Sequence, residues 1–265
     1  MSTEVNDAVD RQSSIRSMNS VLTTLRVFEE VAMQQPIGVS ELARATQIPK
    51  SSVQRCLVTL QQAGWLRIVD PERARWGVTM KALVLGLRGA GEQDLRDLAG
   101  PIIKRLSLAT DETVHFALRD GNDSVILARV DTTKDLRVIL EVGTRLPLQA
   151  TSAGAAILAK MDPADVDQVL RRKVASVEGA PVPSAADLRA EIDRTAERGY
   201  SLNVSAWFRP YVSSIGAAVT NASGQPVAAI VLSIPEMRYD PAREQEQAAL
   251  VLEAAKELSD LLSSV

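Results

Sequence analysis

The chain has 265 residues, 46% of them hydrophobic and 24% charged, with a formal net charge of −3. Such a mixture can bury a real core, which excludes extensive disorder, and the mildly acidic balance argues against indiscriminate nucleic-acid binding. Cys56 is the only cysteine, which excludes an internal disulfide and fits a reducing, cytoplasmic setting.

The first twenty residues are polar, with Glu4, Asp7 and Asp10, and carry no apolar leader core. No run approaches the ~18 apolar residues that cross a bilayer, so no membrane partner is expected. Residues 11–81 hold 10 Lys/Arg against 5 Asp/Glu, whereas the flanking regions are net negative. A basic head on an acidic body is the profile of a DNA-binding protein.

A helix is expected over 17–31, where Val21, Leu22, Leu25, Phe28 and Val31 recur at helical spacing as one apolar face. Pro36 and Gly38 break the pattern. A second, short helix follows. Ser40 is read as its cap and as a DNA-facing residue, Glu41 lies in its first turn, and Leu42 and Ala45 point inward. Pro49 opens a third helix, over 49–63, ended by Gly64. Its buried stripe is Val53, Leu57 and Leu60, with Cys56 beside them. Lys50, Ser51, Ser52, Gln54 and Arg55 face the other way. Short hydroxyls, an amide and two cations near a helix start suit the major groove, and free N–H groups there favour a phosphate. Strands at 65–69 and 75–79 around a charged turn make a hairpin, the form of a wing. From it Arg67, Arg73 and Arg75 reach phosphates or the minor groove. The plainer readings are a protein-contact domain, an internal salt bridge for Arg55, and packing for Trp65, Trp76 and Cys56.

A linker helix is expected over 81–94. The next helix, over 94–108, aligns Leu95, Leu98, Ile102 and Leu106, with Pro101 bending or restarting it. Gly89-Ala90-Gly91 resembles the opening of a dinucleotide fingerprint. Asp94 stands where the third glycine belongs and no strand leads in, so no cofactor is expected.

Beyond Glu112, strands are expected at 113–118, 124–130, 135–141, 212–220 and 226–234, and helices at 151–161, 164–174, 184–199 and 245–262. Hairpin turns at 119–122 and 221–224 point to an antiparallel sheet with helices on one side. Two stretches carry chemistry. A polar loop from Gly143 runs into the small-residue helix start Thr151-Ser152-Ala153-Gly154, where hydroxyls and N–H groups can hold an acidic group; close packing of a capped helix is the alternative. Trp207, Phe208, Arg209 and Tyr211 cluster ahead of Ser213 and Ser214, as a wall for an organic or aromatic acid or as an oligomer contact.

In order along residues 15–263, Val39–Thr46, Ile48–Leu57, Trp76-Gly77-Val78, Val142–Gly154, Arg198-Gly199-Tyr200, Ile215–Val219 and Gly224–Leu232 resemble the IclR family of bacterial transcription regulators. The resemblance implies an α+β protein in three parts: a winged helix-turn-helix over 15–80, a linker helix over 81–94 and a GAF-like effector-binding domain over 95–265, an antiparallel sheet packed with helices. It implies a homo-oligomer (a dimer or a dimer of dimers), palindromic operator DNA and a small organic or aromatic acid as effector of a catabolic operon. By that likeness the effector contacts are Leu146, Ala150, Thr151, Ser152, Ala153, Gly154, Trp207, Ser213 and Ser214. The chain departs from the family pattern at Ala155, where a lysine is common, and at Asn203–Trp207, where an acidic cluster is common. Both changes favour a different or less polar effector.

The competing reading is an enzyme with a fused nucleic-acid-binding head. His115 is the only histidine, and neither a Gly-x-Ser-x-Gly elbow nor a phosphate loop followed by Lys-Ser/Thr occurs. No catalytic residue and no metal ligand is assigned.

Overall fold

The structure, a computed structural model, describes residues 17–88, 92–174, 182–206 and 209–264, with the backbone alone at 83, 86–88 and 92–94. Gly89-Ala90-Gly91, Trp207 and Phe208 lie outside the described residues. The chain divides into two compact units, Met1–Ala90 and Gly91–Val265.

The first unit holds α1 (Asn19–Gln34), α2 (Val39–Thr46), α3 (Lys50–Gln62), β1 (Leu66–Asp70), β2 (Arg75–Val78) and α4 (Lys81–Arg88). Val27, Val31, Leu42, Val53, Leu57, Leu60, Leu66 and Trp76 form its core. β1 and β2 pair antiparallel, Leu66 opposite Val78 and Ile68 opposite Trp76, and Trp76 also bridges Ile37. Two expectations are corrected here. The apolar residues of the second half of α1 enter the core, so Val27 and Val31 are buried while Val21, Leu22 and Leu25 stay about half exposed. The helical period was right, but among the described residues Val21, Leu22 and Leu25 do not reach the core, and the first two turns meet it through Thr24, whose hydroxyl lies 3.5 Å from the Cys56 sulfur. Ser40 is not a cap but lies within the first turn: α2 begins two residues earlier than expected, with Gly38 as its cap and Glu41 accepting from the Gly38 N–H at 3.1 Å. Ala45 is exposed and Thr46 is buried instead, one helical turn from Leu42, and the Thr46 hydroxyl donates to the Leu42 carbonyl at 2.6 Å.

The second unit runs α5 (Glu92–Thr110), β3 (Thr113–Asp120), β4 (Asp123–Val130), β5 (Arg145–Pro147), α6 (Ser152–Leu158), α7 (Pro163–Leu170), α8 (Ala185–Arg198), β6 (Ser201–Val204), β7 (Val212–Thr220), β8 (Pro226–Pro235) and α9 (Glu244–Ser263). The six strands form one antiparallel sheet in the order β5-β4-β3-β8-β7-β6. Helices cover both faces rather than one. Val114, Phe116, Ile215, Ile230 and Leu232 pack with α5 and α9, while Ala117, Ile126, Ala229 and Val231 pack with α6, α7 and α8. Strands buried on both sides lose the polar alternation of a half-wet sheet, which accounts for the near-continuous apolar β8. α5 continues through Pro101 without ending.

The strand expected at 135–141 does not form. Gly143 and Thr144 take up the backbone groups of Ile126, and the short β5 occupies the sheet edge beside β4. Side chains satisfy the stretch ahead instead: Arg238 donates to the Leu136 carbonyl at 2.9 Å and Arg129 to that of Leu140 at 3.0 Å. β6 was not expected; it follows the left-handed Gly199 (φ 89°) that ends α8. Buried Glu191 on α8 accepts from the Leu202 N–H of β6 at 3.0 Å and is neutralised by Arg194 and Arg198.

Candidate functional site

In the first unit, α3 carries its sequence-predicted residues in two groups. Val53, Cys56, Leu57 and Leu60 are buried; Lys50, Ser51, Gln54 and Arg55 are exposed, with Ser52 half-buried. No side chain caps the start of this helix. The positive end of its dipole and its first N–H groups therefore face solvent, an arrangement that favours an anion. Arg55 forms no ion pair among the described residues. Ser40 is exposed on α2.

The three hairpin arginines differ. Arg67 on β1 and Arg73 in the turn are exposed. The Arg73 N–H donates to Asp70 at 3.1 Å, which shapes that turn. Arg75 is half-buried and paired with Glu41, whose carboxyl is held below its ordinary range by the Gly38 N–H and, against burial, by Arg75. It therefore braces the hairpin against α2 rather than projecting as a free cation. Trp65 meets Phe28 edge-on at 5.4 Å and lies 5.0 Å from the Lys81 ammonium, while Trp76 is in the core.

In the second unit, the sheet face under α6 lines a partly open cavity of about 60 Å³. A buried water needs roughly 10–15 Å³ on the same measure, so there is space for a small molecule. Leu146, Ala150, Thr151, Ser152, Ala153 and Ser214 line it, as do His115, Asn203, Arg209, Val212, Val231 and Ser233. Two close approaches seat α6 here. A Cβ on Gly154 would overlap the Leu148 carbonyl, and a Cβ on Gly216 would press on Ser201 and Ser152. Ser152 is thereby brought over β7, its Oγ 2.6 Å from that of Ser214, while the Ser201 hydroxyl donates to the Ser152 carbonyl at 2.7 Å. The Thr151 hydroxyl accepts from the Gly154 N–H at 2.9 Å, so it caps α6 as well as facing the cavity.

Two expected contacts lie elsewhere. Gly154 is a packing residue and does not line the cavity, and Ser213 falls on the opposite face of β7, among residues that meet α5 and α9. Trp207 is outside the described residues, and the nearby Tyr211 points to solvent at 76% exposure. His115, Asn203 and Ser233 are the main residues that sequence reasoning missed. Register brings them in: Asn203 pairs with Ser214, Ser214 with Ser233, and Ser233 with Thr113, a row of buried polar side chains across four strands. The signal was the recurrence of single polar residues inside apolar strands, which is informative only once the pairing is known.

His115 stands beside that row, 1% exposed. Its Nδ1 is 3.0 Å from the Ser233 Oγ, and its Nε2 accepts from the Leu140 N–H at 3.3 Å. Burial, helped by the positive charges of Arg129 and Arg209, holds its pKa down to about 3. Among the described residues, no group of His, Cys, Asp and Glu side chains is placed to hold a metal, and no carboxylate lines the cavity.

Both units match known families. Residues 21–69 match the family model described as IclR helix-turn-helix domain, and residues 88–260 match that of the bacterial transcriptional regulator IclR C-terminal region. The chain is 29% identical over 256 residues to the transcriptional repressor IclR of Escherichia coli strain K12, covering 95% of this chain and 93% of that protein. It is 28% identical over 256 residues to the E. coli regulator KdgR, covering 96% and 95%. The structure of an IclR homolog from Microbacterium hydrocarbonoxydans complexed with 4-hydroxybenzoate superposes with a TM-score of 0.77 at 21% identity, over 93% of this chain and all of that one. That likeness speaks to the fold. No helix among the described residues is long and apolar enough to cross a membrane. The relatives are regulators of transcription, not enzymes. With both family models matched in order and the second alone spanning more than half of the sequence, the chain belongs to the IclR family of bacterial transcription regulators, DNA-binding proteins with an N-terminal helix-turn-helix.

Proposed function

We propose that the protein controls a catabolic operon by binding a palindromic operator through its first unit and a small organic or aromatic acid through its second. In this reading, residues 15–80 are the DNA-binding domain, 81–94 the linker helix and 95–265 the effector domain, and the protein acts in the cytoplasm. The observation that carries the DNA side is the solvent-facing row Lys50, Ser51, Gln54 and Arg55 on an uncapped helix start. Arg55 and Gln54 read base edges, Lys50, Ser51, Ser52 and Ser40 hold phosphates or bases, and Arg67 and Arg73 follow the backbone from the wing, with Arg75 set behind them. A second copy of the chain is the natural cover for the half-exposed Val21, Leu22 and Leu25 of α1. Two half-sites then mirror two protomers, as a dimer or within a dimer of dimers.

The cavity under α6 supports the effector side. An acid is favoured because, among the described residues, Arg209 is the only charged one that lines the cavity, and the charges acting on His115 are those of two cations. The test is a fluorescence-anisotropy titration, at fixed salt, of the DNA upstream of its own gene against random duplex. Specific binding should be at least tenfold tighter than random binding, Arg55→Ala should weaken it by about tenfold, and an acid of the right shape should change it. Equal affinity for the two duplexes would overturn the reading.

A further inference from the structure

Among the described residues, the cavity holds one hydrogen-bond chain whose direction is settled by a backbone amide. The Leu140 N–H can only donate, and it points at the His115 Nε2 at 3.3 Å. Nε2 must therefore carry its lone pair, and a neutral ring then has its proton on Nδ1. That proton lies toward the Ser233 Oγ at 3.0 Å, so the imidazole donates and the hydroxyl accepts. The reverse tautomer would set two N–H groups against each other in a buried place. Having accepted from His115, Ser233 keeps its own hydroxyl proton to give away. Among the described residues nothing else bonds to it, and it lines the cavity.

Leu140 belongs to the strandless stretch that closes the cavity, with the side chains of Val138 and Leu140 in its wall. Besides His115, three arginines grip this stretch by its backbone: Arg238 at Leu136, Arg209 at Ile139 and Arg129 at Leu140. The hydrogen-bond chain thus runs from the covering segment through the imidazole to the floor.

We propose that His115 is the specificity-determining residue of the cavity: by donating to Ser233 it occupies one lone pair of that hydroxyl and leaves its proton for the effector, which favours molecules that present an acceptor oxygen, a carboxylate or carbonyl, and ties the bound molecule to the segment covering it. This deepens, and rests on, the reading of the cavity as the effector site. It also assigns an order to the contacts. The oxygen of the effector meets Ser233 and the Ser152–Ser214 pair, and its apolar body lies toward Ala117, Ile126 and Leu146.

The chain has a single histidine, so full-length protein labelled with 15N-histidine gives one imidazole in a long-range 1H–15N spectrum. At pH 7 the ring should be neutral and protonated on Nδ1. Titration with acetate, butanoate and benzoate should find an acid that shifts the Nδ1 signal, whereas ethylamine, butylamine and benzylamine should not. Ser233→Ala should weaken the binding of that acid at least tenfold, and His115→Gln should reduce its preference over the matching amine. A ring protonated on Nε2 or charged, or an acid bound equally well by Ser233→Ala, overturns this inference and leaves the effector reading standing. If no acid in the panel shifts the signal or the melting temperature, the effector reading falls and this inference with it.

Discussion

The exposed face of α3 and the cavity under α6 draw on the same side-chain chemistry in opposite solvent conditions. Ser51 and Gln54 project from a helix whose other side is anchored by Val53, Leu57 and Leu60, and water serves them until a partner arrives. Ser152, Ser214 and Ser233 are all less than a tenth exposed, and each already has a hydrogen-bond partner in the protein. A polar group in water costs nothing to keep, so the helix face can be chosen for its partner alone. A buried one must be satisfied, or it destabilises the fold by about 1–3 kcal/mol. Changes on α3 should therefore alter binding and spare stability, whereas changes around the cavity should alter both.

The sharpest way to break that contrast is Gly154→Ala. The new methyl would overlap the Leu148 carbonyl, and backbone cannot swing aside as a side-chain end would. A loss of about 3 kcal/mol is expected in urea unfolding, against less than about 0.5 kcal/mol for Gln54→Ala. Comparable losses in the two variants would remove the distinction between the regions.

Next in size is a pH effect confined to the cavity. Unfolded, His115 takes up a proton below its ordinary pKa of 6.5; folded, it stays neutral down to about 3. Protons therefore favour the unfolded chain, and stability present above pH 6.5 is lost as pH falls toward 3. At pH 5 the loss relative to pH 8 should be about 2 kcal/mol. Asp111, held down to about 2 by Thr132 and Thr133, adds its own loss only below its ordinary 3.8. The urea midpoint of the wild type should be clearly lower at pH 5 than at pH 8, and the two midpoints should differ less in His115→Gln. Equal pH dependence in both proteins would mean that the ring is not buried neutral.

The smallest effects separate the wing arginines. Arg75 is paired with Glu41 at partial exposure, so Arg75→Ala should cost under about 1 kcal/mol of stability. Arg73→Ala should leave the melting temperature unchanged and lower the slope of log affinity against log salt by about 1. If Arg73→Ala left the salt slope untouched, the turn would not be reaching a phosphate.

The first unit was largely legible because its instructions are local. Apolar spacing, Pro49, Gly64 and the charged turn at 70–74 each act within a few residues, and the helices and hairpin formed where those signals lie. The misreadings there, at Val21, Leu22, Leu25 and Ser40, concern how much of a helix finds a core and which residue begins it. In the second unit the helices and the two Gly-bearing turns were readable for the same reason. The covering stretch was not: 135–141 has a strand-like pattern, but β5 takes the sheet edge beside β4, and arginines from distant elements satisfy its carbonyls.

Helical period and turn residues were thus enough for most of the elements and the polar side of α3, since each depends on neighbours along the chain, while the ordered motifs from Val39 to Leu232 carried the resemblance to the family. Tertiary structure alone decided that Ser214 rather than Ser213 meets the cavity, that Ser233 lies opposite it, and that His115 stands between Ser233 and the Leu140 N–H. Those outcomes depend on register, where a slip of one residue turns every side chain to the other face of the sheet.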